Sequence, residues 1–261
     1  ADVLDIKKKV TKVKSFLSKM AYYEYLTFNI SSWLASKYMH KCPAVNGAAF
    51  AIKRNIFEKV QGFRKVVAED IDIATRAFLE DSSFAYSYDV EVENEVHSNW
   101  RKWFTQRRRW AIGQALWLKD WYKPLAKKFI KKPQIVLPSL FFLYPSVAVF
   151  LLSAFIPSLW MYNSLLVFSL FLSVKFNIAL PIFLLSLATA DVLKILLISM
   201  SGFALTSAVF YGFSRKLGFK IKIHELFVYY FFYSSIWMII IVIGHIQVLI
   251  LGKKVAPGWR T

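Results

Sequence analysis

The chain has 261 residues, of which 57% are hydrophobic and 18% aromatic, and its formal net charge is +18. Residues 1–132 carry 25 Lys or Arg and 14 Asp or Glu, whereas residues 133–251 carry eight charged side chains. This uneven distribution excludes a uniformly soluble chain and predicts a polar part joined to a membrane part. The single cysteine, Cys42, excludes an internal disulfide. The Lys-rich start lacks an initiator Met and the apolar run of a signal peptide, so we expect a fragment or a processed product.

The N-terminal part alternates between strand and helix patterns. Residues 3–20 are typical of a strand or helix edge with a basic surface, and residues 20–39 predict an aromatic-rich helix. Residues 44–52 predict a buried strand with Gly47 at a turn, and residues 53–60 predict a short helix. This alternation indicates an α/β layer. The lysines at the start are interpreted as a solvated face: Lys7, Lys8, Lys9, Lys12, Lys14 and Lys19.

An acidic block covers residues 69–95, with nine carboxylates and one basic residue, Arg76. Glu69, Asp70 and Asp72 differ from the rest because they follow an apolar approach and precede apolar residues at helical spacing. One of these three carboxylates is expected to cap a helix, which contributes about 1 kcal/mol. A second, shielded by apolar neighbours, would have a raised pKa and could accept a proton from a hydroxyl group.

Residues 99–132 hold eleven Lys or Arg against one acid, Asp120, together with five of the nine tryptophans. On a helix the five rings fall within an arc of about 100°, and most of the cations fall outside it. One interpretation is a helix at a membrane surface, with its cations toward anionic lipid or an anionic ligand. The other is a core stripe with a solvated basic face, but the apolar sequence that follows favours the first. The five rings are Trp100, Trp103, Trp110, Trp117 and Trp121.

Four apolar stretches follow, and each is long enough to cross a hydrocarbon core of about 30 Å. They are residues 135–157, 164–190, 191–213 and 225–251. Six lysines within residues 119–132 place the start of the first span on the cytoplasmic side. Four basic residues within 215–222 contradict that orientation for four spans, so five spans or an interfacial helix are the alternatives.

Four segments, within about 65 residues, carry a resemblance to a known family. They are residues 45–54 (VNGAAFAIKR), 60–63 (VQGF), 69–72 (EDID) with Arg76, and 106–110 (QRRRW). They resemble the second half of a family 2 glycosyltransferase and are most similar to the membrane-embedded branch that includes cellulose, chitin and hyaluronan synthases. The resemblance implies an α/β partial GT-A-like glycosyltransferase domain over residues 1–98. It further implies an amphipathic interfacial helix region over 99–132 and an α-helical transmembrane bundle of about four spans over 133–261.

At the matching positions, the resemblance implies inverting transfer of a sugar from a nucleotide-sugar donor to a glycan or lipid acceptor. Asp70 would be the general base that deprotonates the acceptor hydroxyl, and Glu69 would orient this region. Gln106, Arg109 and Trp110 would line the acceptor site and brace the nucleotide diphosphate. These roles suit the residue types, because a guanidinium binds phosphate oxygens bidentately and an indole face can stack on a sugar ring.

The metal site implied by the resemblance is where the chain departs from the family. Mg²⁺ or Mn²⁺ is implied as a cofactor, but its usual Asp-x-Asp ligands are not found in this chain, because Asp2 and Asp5 have the wrong spacing. An alternative function is therefore a catalytically inactive membrane protein that keeps the fold for binding or assembly.

The expected location is an integral membrane protein with its catalytic part in the cytoplasm. Membrane lipids are expected partners, and Arg107 and Arg108 are expected to meet lipid headgroups rather than steer the anionic donor. A polybasic nucleic-acid binder would use the +18 charge but leaves the acidic turn and the apolar spans unexplained. No nucleic-acid partner is therefore expected.

Overall fold

The structure is a computed structural model that describes residues 1–133, 167–168, 171, 174–175 and 199–252. The chain divides into two compact units, one formed by Ala1–Leu143 with Phe210–Thr261 and the other by Tyr144–Val209. The described residues of the second unit are helical. The sheet, the helices and the site discussed below all belong to the first unit.

Three strands form one mixed sheet: β1 Val3–Val10, β2 Phe50–Ile52 and β3 Phe84–Asn94. Their order is β2-β1-β3, with β1 antiparallel to β2 and parallel to β3. The buried strand predicted over 44–52 is wrong in extent, because only its last three residues pair, at the sheet edge and half-exposed. Gly47 lies in the loop before β2, as the turn signal predicted.

Helices cover most of the remaining polar part. They are α1 Phe16–Leu34, which continues into a π-helical turn Ala35–Met39, then α2 Arg54–Lys59, α3 Glu69–Leu79 and α4 Trp100–Lys131. The helices predicted over 20–39, 53–60 and 99–132 are thereby confirmed. Ser15 and Asn99 start α1 and α4, since their side chains accept backbone N–H groups of the first turn. One apolar cluster, which includes Val3, Ile73 and Phe84, joins the sheet to α3.

The solvated lysine face predicted for the N-terminus is wrong at Lys8, which is 1% exposed. The pairing of β1 with β3 shifts register after Ile6, so the inward face of β1 passes from Asp5 to Lys8. The buried Lys8 ammonium is paired with the Asp5 carboxylate, whose Oδ2 also accepts a 2.6 Å hydrogen bond from Ser32 of α1. The pairing is what allows a charge at this depth.

A second helical segment near the C-terminus is continuous over Ile223–Ile250 and is called the apolar helix below. It consists of α5 Ile223–Val228 and α6 Ser234–His245, each followed by a π-helical turn. Among the described residues it is the one helix long and apolar enough to cross a membrane. It matches the span predicted over 225–251. The spans predicted over 135–157 and 164–190 lie entirely or almost entirely outside the described residues. Of the span predicted over 191–213 the structure describes residues 199–213, which are helical.

Candidate active site

The acidic turn at the start of α3 holds Asp70 by backbone groups. Asp70 Oδ2 accepts a 2.7 Å hydrogen bond from the Gly47 N–H, and Oδ1 accepts one of 2.8 Å from the Ile71 N–H. A Cβ on Gly47 would stand 2.6 Å from Oδ2, so only glycine allows the loop to approach this carboxylate. The motif residue Gly47 and the predicted base are therefore in direct contact.

The electrostatic surroundings of the acidic turn favour proton acceptance. Burial raises the pKa of Asp70 above its ordinary value, and the bonds from Ile71 and Gly47 and the charge of Lys8 oppose this rise. Burial also raises the pKa of Glu69, with a further rise from the charge of Asp70 and an opposing effect of Arg109. The direction of both shifts is the one expected of a general base poised for chemistry.

Asp72, two residues further, is a structural carboxylate. It is 2% exposed and ion-paired with Arg64 and Arg76, and it accepts a 3.0 Å hydrogen bond from the Trp121 indole N–H. The predicted carboxylate cap is wrong, because α3 starts at Glu69 with Ala68 at the cap position and no side-chain cap bond. In this turn Asp72 forms ion pairs, and Asp70 accepts backbone N–H groups instead.

The QRRRW segment lies in α4, which packs against the acidic turn. A Cβ on Gly113 would stand 3.2 Å from Ala68 Cβ, so the helix backbone comes close to the residue that precedes Glu69. Trp117 donates a 2.8 Å hydrogen bond to the Thr75 hydroxyl of α3. These contacts bring Arg109, which is exposed, within electrostatic range of Glu69.

The other two predicted residues of the segment, Gln106 and Trp110, are half-buried and one helical turn apart. The Trp110 ring contacts Trp237 of the apolar helix edge to face, with centroids 6.4 Å apart. The Arg107 guanidinium also lies against this ring. The structure thus groups Glu69, Asp70 and Arg109 at the acidic turn, and it places Trp110 between α4 and the apolar helix.

The prediction that Arg107 meets lipid headgroups is wrong. Its side chain is 2% exposed and forms a buried ion pair with Glu24 of α1. Arg108 is exposed, as that expectation requires. A signal was present in the sequence, since Arg107 follows Trp103 by four residues and precedes Trp110 by three, which puts it within the aromatic stripe.

The aromatic stripe of α4 contacts protein. Trp103 and Trp117 are buried, Trp110 and Trp121 are half-buried, and Trp100 is 44% exposed. Rings at the headgroup level are therefore ruled out for the two buried tryptophans, whose packing follows the core-stripe alternative. The placement of α4 at a membrane surface stays a prediction.

A cleft of about 170 Å³ opens beside the acidic turn. It lies between residues 65–68, which lead into α3, and the α4 residues Gly113, Leu116, Trp117 and Asp120. On the side of α3 the cleft is lined by Ala68, which precedes Glu69, and by Asp72.

A protein site for Mg²⁺ or Mn²⁺ is formed by oxygen ligands, such as carboxylates, that lie close together. Within the part of the chain that the structure describes, no group of three or more His, Cys, Asp or Glu could hold a metal ion. Asp2 is bound to Ser83 and Lys53, and Asp5 to Lys8 and Ser32. The described residues therefore do not fit a Mg²⁺ or Mn²⁺ site.

Comparison with known proteins shows which family the chain belongs to. The family model described as "Glycosyl transferase family group 2" matches residues 1–251. The chain belongs to this glycosyltransferase family. Its resemblance to family 2, inferred from the four segments, is thereby confirmed.

The chain is similar to several curated members over part of their length. "Probable glucomannan 4-beta-mannosyltransferase 14" of Arabidopsis thaliana is 32% identical over 93 residues, 35% of this chain and 17% of that protein. "Probable glycosyltransferase YdaM" of Bacillus subtilis is 25% identical over 205 residues, 77% of this chain and 44% of that protein. Glucomannan 4-beta-mannosyltransferase 1 of Cyamopsis tetragonoloba is 30% identical over 86 residues, 33% of this chain and 16% of that protein. The chain thus spans less than half the length of these relatives.

Proposed function

We propose that this chain is the acceptor-side catalytic part of an inverting, membrane-bound glycosyltransferase. The transferase moves a hexose from a nucleotide-sugar donor to a glycan or lipid acceptor. The observation that carries the proposal is the Asp70 carboxylate, which two backbone N–H groups hold at the start of α3. Family membership supports the reaction class, and the names of the plant relatives support a mannosyl-type donor and a β-linked glycan acceptor.

In the proposed step Asp70 removes the proton of the acceptor hydroxyl as its oxygen attacks the anomeric carbon. The bond from that carbon to the diphosphate oxygen breaks, the nucleotide diphosphate leaves, and the anomeric configuration inverts. A carboxylate with a raised pKa suits this role, because a general base is most effective when its pKa is close to the working pH. Removal of such a base lowers the rate by about 10²–10⁴-fold.

The neighbouring residues have supporting roles in the proposal. Arg109 is exposed and interacts electrostatically with Glu69. Its planar guanidinium binds the diphosphate oxygens of the donor. Trp110 stacks on the acceptor sugar, and Gln106 lies one turn away on the same face. Glu69 keeps this end of α3 in place.

The membrane part of the proposal concerns the apolar helix and α4. The apolar helix is 28 residues long, which at 1.5 Å per residue exceeds a hydrocarbon core of about 30 Å. The second half of α4 presents exposed lysines at four-residue spacing, which suits an anionic lipid surface on the cytoplasmic side. These lysines are Lys119, Lys123, Lys127 and Lys131.

The decisive measurement is nucleotide diphosphate release from a panel of nucleotide sugars, by membranes that hold the full-length protein, with Mg²⁺ or Mn²⁺ in the buffer. Release by the wild type, with loss in Asp70→Asn and retention in Glu80→Gln, supports the transferase and the base. Glu80 is a matched control, because it is exposed at the other end of α3 and its ion pair within the described part of the chain is with the exposed Lys59. Folded wild-type protein that releases nothing with any donor would overturn the proposal in favour of a binding or assembly function.

A further inference from the structure

Arg107 lies in a buried cluster formed by three helices. Its guanidinium is paired with Glu24 of α1 and donates a 3.1 Å hydrogen bond to the Tyr233 hydroxyl of the apolar helix. That hydroxyl donates to Glu24 Oε2 at 2.9 Å and accepts from the Trp103 indole N–H at 3.0 Å. Arg107 is therefore held from two sides by elements outside α4.

The same guanidinium lies against aromatic rings. Arg107 Cζ is 4.1 Å from the centroid of the Trp110 ring, 5.3 Å from that of Trp237 and 5.6 Å from that of Trp103. Its Nε and Nη1 have no hydrogen-bond acceptor within the described part of the chain, and three indole rings lie within 6 Å of the guanidinium carbon. The shortest of these contacts is the one to Trp110.

Packing alone does not account for an arginine at this depth. Replacing a buried ion pair by apolar residues of similar volume is often neutral or stabilising. A planar cation with fixed partners does something that an apolar residue cannot, because it sets the plane of a ring stacked on it. Trp110 is half-buried, so part of its ring stays accessible beside this contact.

We propose that Arg107 is a positioning residue for Trp110. Anchored by Glu24 and Tyr233, it occupies one face of the indole and fixes the ring orientation that the acceptor sugar meets. The inference deepens the proposed function and rests on it for the acceptor role of Trp110. It also makes the acceptor site depend on the apolar helix, which supplies Tyr233.

The test uses the full-length protein in detergent, labelled with 5-fluorotryptophan, with the Trp110 resonance assigned by Trp110→Phe. Arg107→Lys keeps the charge beside Glu24 but loses the planar stack. We expect the Trp110 fluorine resonance to shift and the acceptor KM to rise about tenfold, the size of a buried cation–π contact, with the donor KM unchanged. Arg108→Lys, a change at the exposed neighbour, should alter none of these quantities.

The outcomes separate this inference from the proposed function. An unmoved Trp110 resonance in folded Arg107→Lys overturns the positioning role, whatever the activity. A moved resonance with an unchanged acceptor KM supports positioning and overturns the acceptor role of Trp110 in the proposed function. If Arg107→Lys does not fold, Tyr233→Phe decides, because it removes only the hydroxyl; a shift of the Trp110 resonance supports the inference and its absence overturns it.

Discussion

The acidic turn of α3 and the QRRRW turn of α4 carry opposite charges, but in each of them one charged side chain is buried in an ion pair and another of the same charge is not. In the first, Asp72 is buried against Arg64 and Arg76, while Asp70 is held by backbone N–H groups. In the second, Arg107 is buried against Glu24, while the arginine two residues later is exposed. Residues two positions apart on a helix point about 200° apart. In each pair, therefore, one side chain faces the core and the other, of the same charge, points away from it.

The two turns differ in what holds the buried member. The partners of Asp72 come from residues 64–76 and from α4, all within the polar part of the chain. The partners of Arg107 come from α1 and from the apolar helix. The acidic turn therefore depends on the polar fold alone, whereas the arginine turn depends on how the apolar helix packs against it.

The largest expected effect concerns the two carboxylates of the acidic turn. Asp72→Ala removes the buried carboxylate that pairs with Arg64 and Arg76 and should lower the free energy of unfolding by about 3–5 kcal/mol. Asp70→Ala should abolish transfer without that loss of stability. Thermal unfolding and nucleotide diphosphate release, measured on both variants, check the pair, and similar destabilisation of the two would contradict the division between them.

The second prediction applies the same comparison to the arginines. Arg109→Lys loses the bidentate fork for phosphate, and a charge-assisted hydrogen bond contributes about 1.5–3 kcal/mol, so the donor KM should rise about 10–100-fold. The melting temperature should stay near that of the wild type, since the side chain is exposed. Arg108→Lys is the matched control for steady-state kinetics. A donor KM that is equal in both variants would remove Arg109 from the donor site.

A third, smaller effect is expected at Gly47. A Cβ there would stand 2.6 Å from Asp70 Oδ2, so Gly47→Ala must displace the carboxylate. Overpacking of this kind costs about 1–3 kcal/mol, which as a loss of transition-state stabilisation is about 5–150-fold in kcat. Stopped assays of donor turnover measure it, with Ala48→Ser at the exposed next position as control. An unchanged kcat would show that the contact with Gly47 does not position the base.

The smallest expected effect is a pH dependence of Asp70. Because burial raises its pKa, the rate should fall as pH decreases through a value above the ordinary pKa of about 3.9. The free energy of unfolding changes in the opposite sense. A raised pKa in the native state stabilises the protein while Asp70 is protonated, and this stabilisation is lost as pH rises through the native pKa. Asp70→Asn should therefore melt above the wild type at pH 7, and the difference should shrink toward pH 3. A wild type that is more stable at pH 7 would contradict the raised pKa.

Local patterns were enough to predict much of the fold. Apolar spacing, aromatic content and turn signals predicted α1, α2, α4 and the apolar helix, because each of these features acts over a few neighbouring residues. The four motif segments likewise led to family 2, which the match over residues 1–251 confirms. They also singled out Asp70, whose role stays a prediction, and the helix start beside it, although the expected carboxylate cap was wrong.

The sequence by itself determined the helices α1, α2, α4 and the apolar helix, the division into polar and apolar parts and the family, because these depend on patterns among residues close together in the chain. Only the tertiary structure decided which charges are buried. A register shift turned Lys8 inward, and Arg107 found its partners 83 and 126 residues away in the chain, at Glu24 and Tyr233. Charge has no directional signature in sequence, and a buried ion is stable only when a distant segment brings its partner, so these assignments required the packed molecule.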